Sequence, residues 1–471
     1  MSGKHHQNRR AFLGNVAYGC ASMGVTTLLS GWTNMGLVNA AASANRPVYS
    51  QNNNYKALVC ILLAGGNDSY NMLIPHVQEE YDDYSEARTN LAIPREDLLE
   101  INPLNTGRKF GIHPRLQNVQ NLFENGQLAF MANVGTLVEP TTLASVSQNL
   151  NLPQGLYSHI DQAQHWQTSI PQDRNSNGWG GRMADILRTN NQNNDISMNI
   201  SLDGLNIFQR GNQVQPYSIN PSGNGSVLIN GATDNGFYES LKRETVDNIL
   251  EFNYQNLLEK AYANTVVGSK SNSIAFDSAI AGGQPLNTSF GKGDLSKRLQ
   301  MVARTIASRN ILGVSNQTFF VQLGGFDNHD TNLVSHGNLM AELDEALQSF
   351  YQALVEMGLE NDVTTFTISD FARKLISNGD GSDHAWGGHA IVMGGAVEGQ
   401  NIYGQYPELY FGNGLDTGEG RLIPTTSCDE YFAELALWFG ASSADLDQIL
   451  PNINNFWTPV SGGHPLGFLN Y

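Results

Sequence analysis

Apolar residues occur in short runs rich in β-branched side chains, and these runs predict strands. The first run is continuous from Tyr55 to Ala64 (YKALVCILLA). A strand without polar alternation is typical of a sheet centre that is covered on both faces. Met198 to Phe208 alternates between apolar and polar residues and predicts a half-buried strand. The remaining predicted strands are Leu128 to Val134, Thr318 to Leu323, Val363 to Ile368 and Ala390 to Val397.

Stretches with helical periodicity separate these strands. A helix is predicted to begin near Ser158, and the others are predicted at Phe237 to Asn264, Leu295 to Arg309 and Leu333 to Met357. Two stretches are rich in Gly, Ser and Asn. The first, Asn212 to Gly236, predicts a surface loop or hairpin, and the second, Thr265 to Gly293, predicts an excursion between helices.

The order of strands and helices predicts the fold class. Strand, helix and strand in succession imply a mostly parallel sheet with right-handed crossovers. We therefore predict an α/β fold, with three α/β/α layers around a mostly parallel central sheet. Residues 45–471 would form this single domain, with insertions around residues 205–295.

Acidic residues and histidines gather at the ends of the predicted strands. Three clusters lie in the C-terminal half: GGFDNHD (Gly324 to Asp330), SDF (Ser369 to Phe371) and DHAWGGH (Asp383 to His389). Neutral imidazoles and carboxylates are the ligands of Zn²⁺, Mn²⁺ and Mg²⁺, and open α/β sheets bind ligands at the carboxyl ends of their strands. The candidate metal ligands are Asp68, Asp327, His329, Asp370, His384 and His389. The alternative is structural, since Asp and His also favour turns and caps.

The N-terminal segment predicts export. Asn8-Arg9-Arg10-Ala11-Phe12-Leu13-Gly14 is a twin-arginine (Tat) pattern, and a region rich in Gly, Ala and Thr follows it. Ala42-Ser43-Ala44 is an A-x-A cleavage site, so residues 1–44 are interpreted as a Tat signal peptide. The Tat translocase would be the partner during export, and the mature protein would be periplasmic or secreted. A single-span anchor is the alternative, although Gly, Ser, Thr and Asn interrupt the apolar run.

Composition narrows the range of partners. The formal net charge is −18, and loss of the three basic residues of the signal would leave −21. This charge argues against nucleic acid and anionic membranes as partners. No later stretch is long and apolar enough for stable insertion in a membrane. Outside the signal, Cys60 and Cys428 remain, and the position of Cys60 inside an apolar strand favours a buried thiol over a disulfide.

A series of motifs runs through most of the chain, between Lys56 and Phe456. The motifs are LAGGNDSYNMLIP, YSHIDQAQHWQ, GWGGR, GGFDNHD, SDFAR, DHAWGGH, IYGQYP and RLIPTTSCDEYFAELALWFG. Their order resembles the alkaline phosphatase superfamily, and within it an uncharacterised Tat-exported bacterial branch known as a domain-of-unknown-function family. The resemblance implies an alkaline-phosphatase-like fold and a metal-dependent hydrolase acting on phosphate or sulfate esters of small molecules or glycans. It also implies a Ser or Thr nucleophile at a helix N-terminus.

The resemblance implies roles for residues around the predicted helix start. Ser158 would be the nucleophile, because a helix N-terminus stabilises an alkoxide and an incoming anion. His159 adjoins Ser158 and is a further candidate for the site. Arg373 would contact an oxygen of the transferred group. The structural alternatives are that Ser158 is only an N-cap and that Arg373 is a surface helix residue.

The resemblance also implies one or two divalent ions, Zn²⁺ or Mn²⁺ before others. Asp68 would be the ligand that follows the first strand. The two later sets would be Asp327 and His329 with His389 for one ion, and Asp370 with His384 for the other. The superfamily often spaces these residues as D-x-x-x-H, whereas this chain has D-x-H, so His336 is an alternative ligand.

Two classes of function are therefore compatible with the sequence. The first is an exported metal-dependent ester hydrolase. The second is a degenerate, non-catalytic exported protein that uses the same fold to bind a glycan, a metal or a partner protein. Absence of a C-x-P-S-R or S-x-P-S-R motif argues against a formylglycine sulfatase.

Overall fold

The computed structural model describes residues 55–174, 177–226, 236–460 and 462–471. The predicted signal peptide lies outside these residues. None of the helices within them combines the length and the apolar character that a membrane span requires.

The described chain alternates between strands and helices. The strands are β1 Lys56–Leu63, β2 Leu73–Pro75, β3 Leu99–Ile101, β4 Phe110–Ile112, β5 Leu128–Gly135, β6 Asn199–Ser201, β7 Tyr217–Ser218, β8 Asn316–Leu323, β9 Val363–Ser369, β10 Gly388–Met393, β11 Ile402–Gly404 and β12 Thr426–Ser427. The helices are α1 Gln78–Arg88, α2 Gln117–Glu124, α3 Leu143–Ser147, α4 His159–Thr168, α5 Trp179–Leu187, α6 Phe237–Leu250, α7 Leu257–Gly282, α8 Asp294–Ala307, α9 Arg309–Leu312, α10 Asn332–Met357, α11 Cys428–Phe439 and α12 Leu446–Ile449.

A nine-stranded sheet forms the centre of the described structure. Its order is β11-β5-β10-β9-β1-β8-β6-β7, with β12 paired to β5. The five strands from β9 to β7 are mutually parallel, and β10 runs antiparallel to both of its neighbours. The short strands β2, β4 and β3 form a separate antiparallel sheet. The mostly parallel sheet predicted from the sequence is thus confirmed.

Each face of the sheet has its own apolar core. Alternate residues of a strand point to opposite faces, so Val59 and Ile61 of β1 belong to one core, while Leu58 and Cys60 belong to the other. Helices α2, α8 and α10 cover the first face. Helices α5 and α11 cover the second. Helices on both faces give the three-layer α/β/α arrangement that the uninterrupted apolar run of β1 predicted.

Three predicted elements differ from the structure. The predicted strand from Met198 to Phe208 is limited to β6, and the polar segment after it includes the two-residue strand β7. The predicted helix from Phe237 to Asn264 is divided into α6 and α7. The predicted excursion from Thr265 to Gly293 is mostly the second half of α7, because Phe276 and Ile280 are buried one turn apart and outweigh the low helix propensity of Ser, Gly and Asn.

The two cysteines among the described residues are buried free thiols, as the sequence indicated for Cys60. Cys60 lies in the middle of β1, and Cys428 is the first residue of α11. Burial raises the pKa of both thiols well above the usual value, which keeps them protonated and unreactive.

A buried carboxylate holds the C-terminal segment. The side chain of Glu434 in α11 is fully buried and accepts hydrogen bonds from the backbone N–H groups of Leu466, Gly467 and Leu469. His464 Nδ1 lies 3.2 Å from the same carboxylate. One side chain therefore satisfies several backbone donors that would otherwise lack a partner.

Replacing Glu434 with alanine should lower the free energy of unfolding by about 2–4 kcal/mol, because buried N–H groups are left unsatisfied. Urea denaturation of the two proteins measures the change. Glu251→Ala, at an exposed glutamate, is the control and should change the same quantity by less than about 0.5 kcal/mol. Equal stability of the native and Glu434→Ala proteins would show that the C-terminal segment is held by other contacts.

Candidate metal centre

The candidate site lies at one edge of the central sheet. Because β8, β1 and β9 are adjacent and parallel, the residues that follow them, among them Asp327 after β8 and Asp370 after β9, meet at the same edge. Strand β10 runs in the opposite direction, so its amino end reaches that edge and brings His384 with it. His159, the first residue of α4, completes the group.

Three imidazoles converge on one carboxylate oxygen. The Nε2 atoms of His159, His329 and His384 lie 3.4, 3.0 and 3.5 Å from Asp327 Oδ1. The Nε2 atoms of His329 and His384 are 2.9 Å apart. Ligand atoms on His159, Asp327 and His384 all lie within 4.8 Å of one another, a spacing that could hold a metal ion. The side chain of Asp327 is 50% exposed, so the group is open to solvent.

The opposite nitrogen of each imidazole has an acceptor. His159 Nδ1 lies 2.7 Å from Asp370 Oδ2, and His384 Nδ1 lies 2.8 Å from the carbonyl oxygen of Tyr157. His329 Nδ1 lies 3.3 Å from Asp383 Oδ1. With the proton on Nδ1 in each ring, the Nε2 lone pairs point toward Asp327. Metal-binding histidines use this arrangement, in which an outer carboxylate or carbonyl fixes the tautomer and the ring orientation.

Phe371 fixes the positions of the imidazole rings. Its ring centroid lies 4.7 Å from that of His159 and 4.5 Å from that of His384. The centroids of His159 and His384 are themselves 4.3 Å apart in an edge-to-face arrangement. The aromatic ring therefore limits the rotation of both imidazoles at the edge of the sheet.

The protonation states of Asp327 and His384 agree with a cation site. Burial alone would raise the pKa of Asp327, but the hydrogen bond and the charge of Arg373 outweigh it and lower the pKa. Burial lowers the pKa of His384, which keeps its imidazole neutral. The hydrogen bond to Asp370 raises the pKa of His159. An ionised carboxylate and a neutral imidazole are the forms that bind metal ions.

Arg373 is fully buried behind Asp327. Its guanidinium donates to the carbonyl oxygens of Gly65, Gly66, Phe326 and Ser382, and Nη2 also lies 2.5 Å from Asp327 Oδ1. These bonds hold together the loops that follow β1 and β8. Arg373 is therefore not a surface helix residue, and its described contacts position Asp327.

The loop after β1 requires glycine. Gly65 and Gly66 have φ angles of 115° and 86°, a region that side chains disfavour. A Cβ on Gly65 would lie 2.5 Å from the backbone nitrogen of Asp327, and one on Gly66 would lie 2.5 Å from the ring of Phe371. The two glycines therefore allow the loops of β1, β8 and β9 to approach closely.

Ser158 is the N-cap of α4, and its Oγ accepts a hydrogen bond from Asp161 N at 3.5 Å. Both sequence neighbours of Ser158 contact residues of the site. The carbonyl oxygen of Tyr157 lies beside His384 Nδ1, and the ring of His159 lies beside Asp370. Tyr157 has a φ angle of 69°, an uncommon conformation for a bulky residue. Such strain is often found at functional sites.

The described contacts of Asp68 and His389 are with other residues, and they do not include the three imidazoles. The Asp68 carboxylate forms a buried ion pair with Arg88 and accepts a hydrogen bond from Asn332 Nδ2 at 2.6 Å. His389 Nδ1 accepts a hydrogen bond from Asn133 N at 3.1 Å, and its ring stacks on Tyr406. A proton on Nε2 follows from this bond, so the His389 ring does not offer that atom as a ligand in this tautomer.

His336, the alternative ligand, is buried, and its Nε2 lies 2.9 Å from Asn67 Oδ1.

Sequence reasoning did not identify Tyr157, Phe371 and Asp383 as parts of the site. Asp383 directly precedes His384, and Phe371 directly follows Asp370. This adjacency to predicted ligands could have indicated that both residues belong to the site. Tyr157 acts through its backbone carbonyl, which no residue type indicates.

Comparison with solved structures finds matches of low identity. The C-terminal periplasmic domain of EcEptC from Escherichia coli, in complex with Zn, is 8% identical, with 73% of this chain and 74% of that chain covered and a TM-score of 0.32. The soluble domain of lipooligosaccharide phosphoethanolamine transferase A from Neisseria meningitidis is 9% identical, with coverages of 86% and 95% and a TM-score of 0.33. At these values the matches do not bear on activity. No curated protein matches the chain significantly.

A family model gives a more extensive match. It covers residues 55–413, from the start of β1 to beyond β11, and so includes every residue of the candidate metal centre. Its description is "Protein of unknown function (DUF1501)". Because the match extends over well more than half of the sequence, the chain belongs to the DUF1501 family.

Proposed function

We propose that this protein binds one divalent metal ion, Zn²⁺ or Mn²⁺, through His159, Asp327 and His384, with His329 as a fourth ligand. We further propose that it hydrolyses phosphate or sulfate esters of small molecules or glycans, with Ser158 as the nucleophile. Export through the N-terminal Tat pattern would put this activity outside the cytoplasm.

The observation that carries the proposal is the contact between His329 Nε2 and His384 Nε2 at 2.9 Å. Both rings have an acceptor at Nδ1, and with their protons on Nδ1 both Nε2 atoms carry lone pairs. Two facing lone pairs repel unless a proton or a cation lies between them. The distances of 3.0–3.5 Å from the three Nε2 atoms to Asp327 Oδ1 agree better with a bound cation, because Zn–N bonds of about 2.0–2.1 Å in a tetrahedron separate the ligand atoms by about 3.3 Å.

Charge around the imidazoles is consistent with one cation. Arg373 opposes a second positive charge near Asp327, and this reduces the affinity for an ion. Asp370 and Asp383 stand behind His159 and His329 and contribute negative charge that offsets it. Imidazole with carboxylate is a donor set that suits Zn²⁺.

An ion bound here would supply Lewis-acid stabilisation of negative charge on the ester group. The residues of the chain would carry out the nucleophilic attack and hold the ester. Ser158 Oγ would attack the phosphorus or sulfur atom, the bond to the leaving alcohol would break, and water would then release phosphate or sulfate from the serine. The N-terminus of α4 would favour the anionic ester. Tyr157 and His159 would hold Ser158 beside the site through their own contacts.

The experiment measures metal content and hydrolysis of an aryl phosphate and an aryl sulfate by the mature protein. We expect about one Zn²⁺ or Mn²⁺ per chain. Ser158→Ala should reduce turnover by at least about 1000-fold without changing metal content. Thr142→Ala removes the N-cap of α3 and is the matched control, since it has a similar cost in stability but should leave turnover unchanged.

Two outcomes distinguish the alternatives. Full turnover in Ser158→Ala would remove that residue from the mechanism. Stoichiometric metal without hydrolysis of either ester would favour the non-catalytic class of function, in which the fold binds a glycan, a metal or a partner protein. The N-cap hydrogen bond of Ser158 is the observation that favours this second class, because it gives the hydroxyl a structural role.

A further inference from the structure

A cavity of about 320 Å³ lies against the first turns of α10, on the same side of the sheet as α2. It is bounded by the segment Ala92 to Pro94, by the turn His113 to Arg115 and by the start of α10. Ile93, Leu333 and Val334 give it largely apolar walls, and 39% of Leu333 and 69% of Val334 are exposed. Its volume is at the lower end of the range for small-molecule sites.

His113 provides a fixed hydrogen-bond donor in the wall of this cavity. The residue is 5% exposed, and its Nδ1 accepts a hydrogen bond from Arg115 N at 3.0 Å. The ring proton is therefore on Nε2. Burial, together with the nearby His336 and Arg115, lowers the pKa of His113 to about 3, so the ring stays neutral. No described residue accepts a hydrogen bond from this Nε2–H group.

Gly337 keeps the space beside this donor open. A Cβ at Gly337 would lie 3.6 Å from His113 Nε2, and both residues line the cavity. Since the backbone of Gly337 is helical, glycine is not required there by conformation. The absent side chain leaves the Nε2–H group accessible from the cavity.

Arg115 supplies a positive charge at the same place. Its side chain is exposed, and within the described residues no carboxylate forms an ion pair with it.

We propose that the cavity binds a small monocarboxylate with an apolar body. The carboxylate receives hydrogen bonds from the guanidinium of Arg115 and from His113 Nε2–H, and the apolar body lies against Ile93, Leu333 and Val334. One positive charge and one neutral donor balance a single negative charge, which favours a carboxylate over a phosphate dianion. The site is separate from the metal centre and does not depend on the proposed hydrolase activity.

Calorimetric titration of the mature protein with hexanoate tests the proposal. We expect saturable binding of one hexanoate per chain and much weaker binding of hexanol, which lacks the charge. Arg115→Gln should weaken hexanoate binding by about 10- to 100-fold. Arg188→Gln, at an arginine on another part of the fold, is the matched control and should leave binding unchanged.

A second variant tests the cavity rather than the charge. Gly337→Val adds a side chain to the space beside His113 and should abolish hexanoate binding, while thermal unfolding verifies that the variant is folded. Unchanged hexanoate affinity in Arg115→Gln would overturn the proposal, as would lack of saturation by the native protein at about 10 mM hexanoate. Tighter binding of inorganic phosphate than of hexanoate would overturn the class of ligand.

Discussion

Mature protein in which His384 is replaced by alanine is expected to bind Zn²⁺ at least about 100-fold more weakly than the native chain, and to lose ester hydrolysis as well. Loss of an outer partner that only orients a ligand costs about 10- to 100-fold in metal affinity, so loss of a ligand itself should cost more. His384 is the suitable position because its Nε2 faces both Asp327 and His329. Competition with a chromogenic chelator measures the affinity.

Two further variants test whether the loss of metal affinity is specific to the candidate metal centre. His76→Ala changes a histidine that pairs with Glu100, outside the candidate metal centre, and should retain the native affinity. Asp383→Asn should reduce affinity by about 10- to 100-fold, since it weakens the acceptor at Nδ1 of His329. Native affinity in His384→Ala together with loss of the ion in His389→Ala would place the ion at a different set of ligands.

Replacing Arg88 with methionine should lower the free energy of unfolding by about 3–5 kcal/mol, because it leaves the buried carboxylate of Asp68 without its ion-pair partner. Both side chains are almost inaccessible to solvent, with exposures of 0% and 1%. The guanidinium also donates to Asn71 Oδ1 and to the carbonyl oxygen of Lys374, which adds to the loss. Chemical denaturation provides the measurement.

A double variant separates the charge from the other contacts. Arg88→Met combined with Asp68→Asn removes the unpaired charge, and it should be more stable than Arg88→Met alone. If Asp68 is bound only to Arg88 and Asn332, Asp68→Asn by itself should keep the native metal content. Loss of an ion from Asp68→Asn would instead show that Asp68 is a metal ligand, as its position after the first strand predicted.

The fold could be predicted because its main strands are continuous in sequence. The apolar run of β1 and the runs of β8 and β9 each form a complete strand, and a chain that must bury both faces of a strand has few alternatives. The part of helix α7 after Asn264 was missed because its buried positions, such as Phe276 and Ile280, are sparse among Ser, Gly and Asn. Tertiary packing stabilises that helix, and a local pattern does not contain this information.

The candidate site could be predicted only in part. Parallel β8 and β9 bring Asp327 and Asp370 to one edge, and that followed from the order of strands. The described contacts of Asp68 are with Arg88 and Asn332, which the sequence does not indicate as its partners. The pairing of His159 with Asp370 joins residues 211 positions apart, and only the assembled structure shows it.

The residues of the candidate metal centre are far apart in sequence, so binding of an ion there would affect the stability of the whole protein. An ion held by residues from α4, from the loop after β8 and from the segment before β10 would act as a removable cross-link between distant parts of the chain. Such a cross-link stabilises only the folded state, by about 4 kcal/mol when the free ion exceeds its dissociation constant 1000-fold. The resistance of the whole domain to heat and proteases would then depend on the supply of metal in its surroundings.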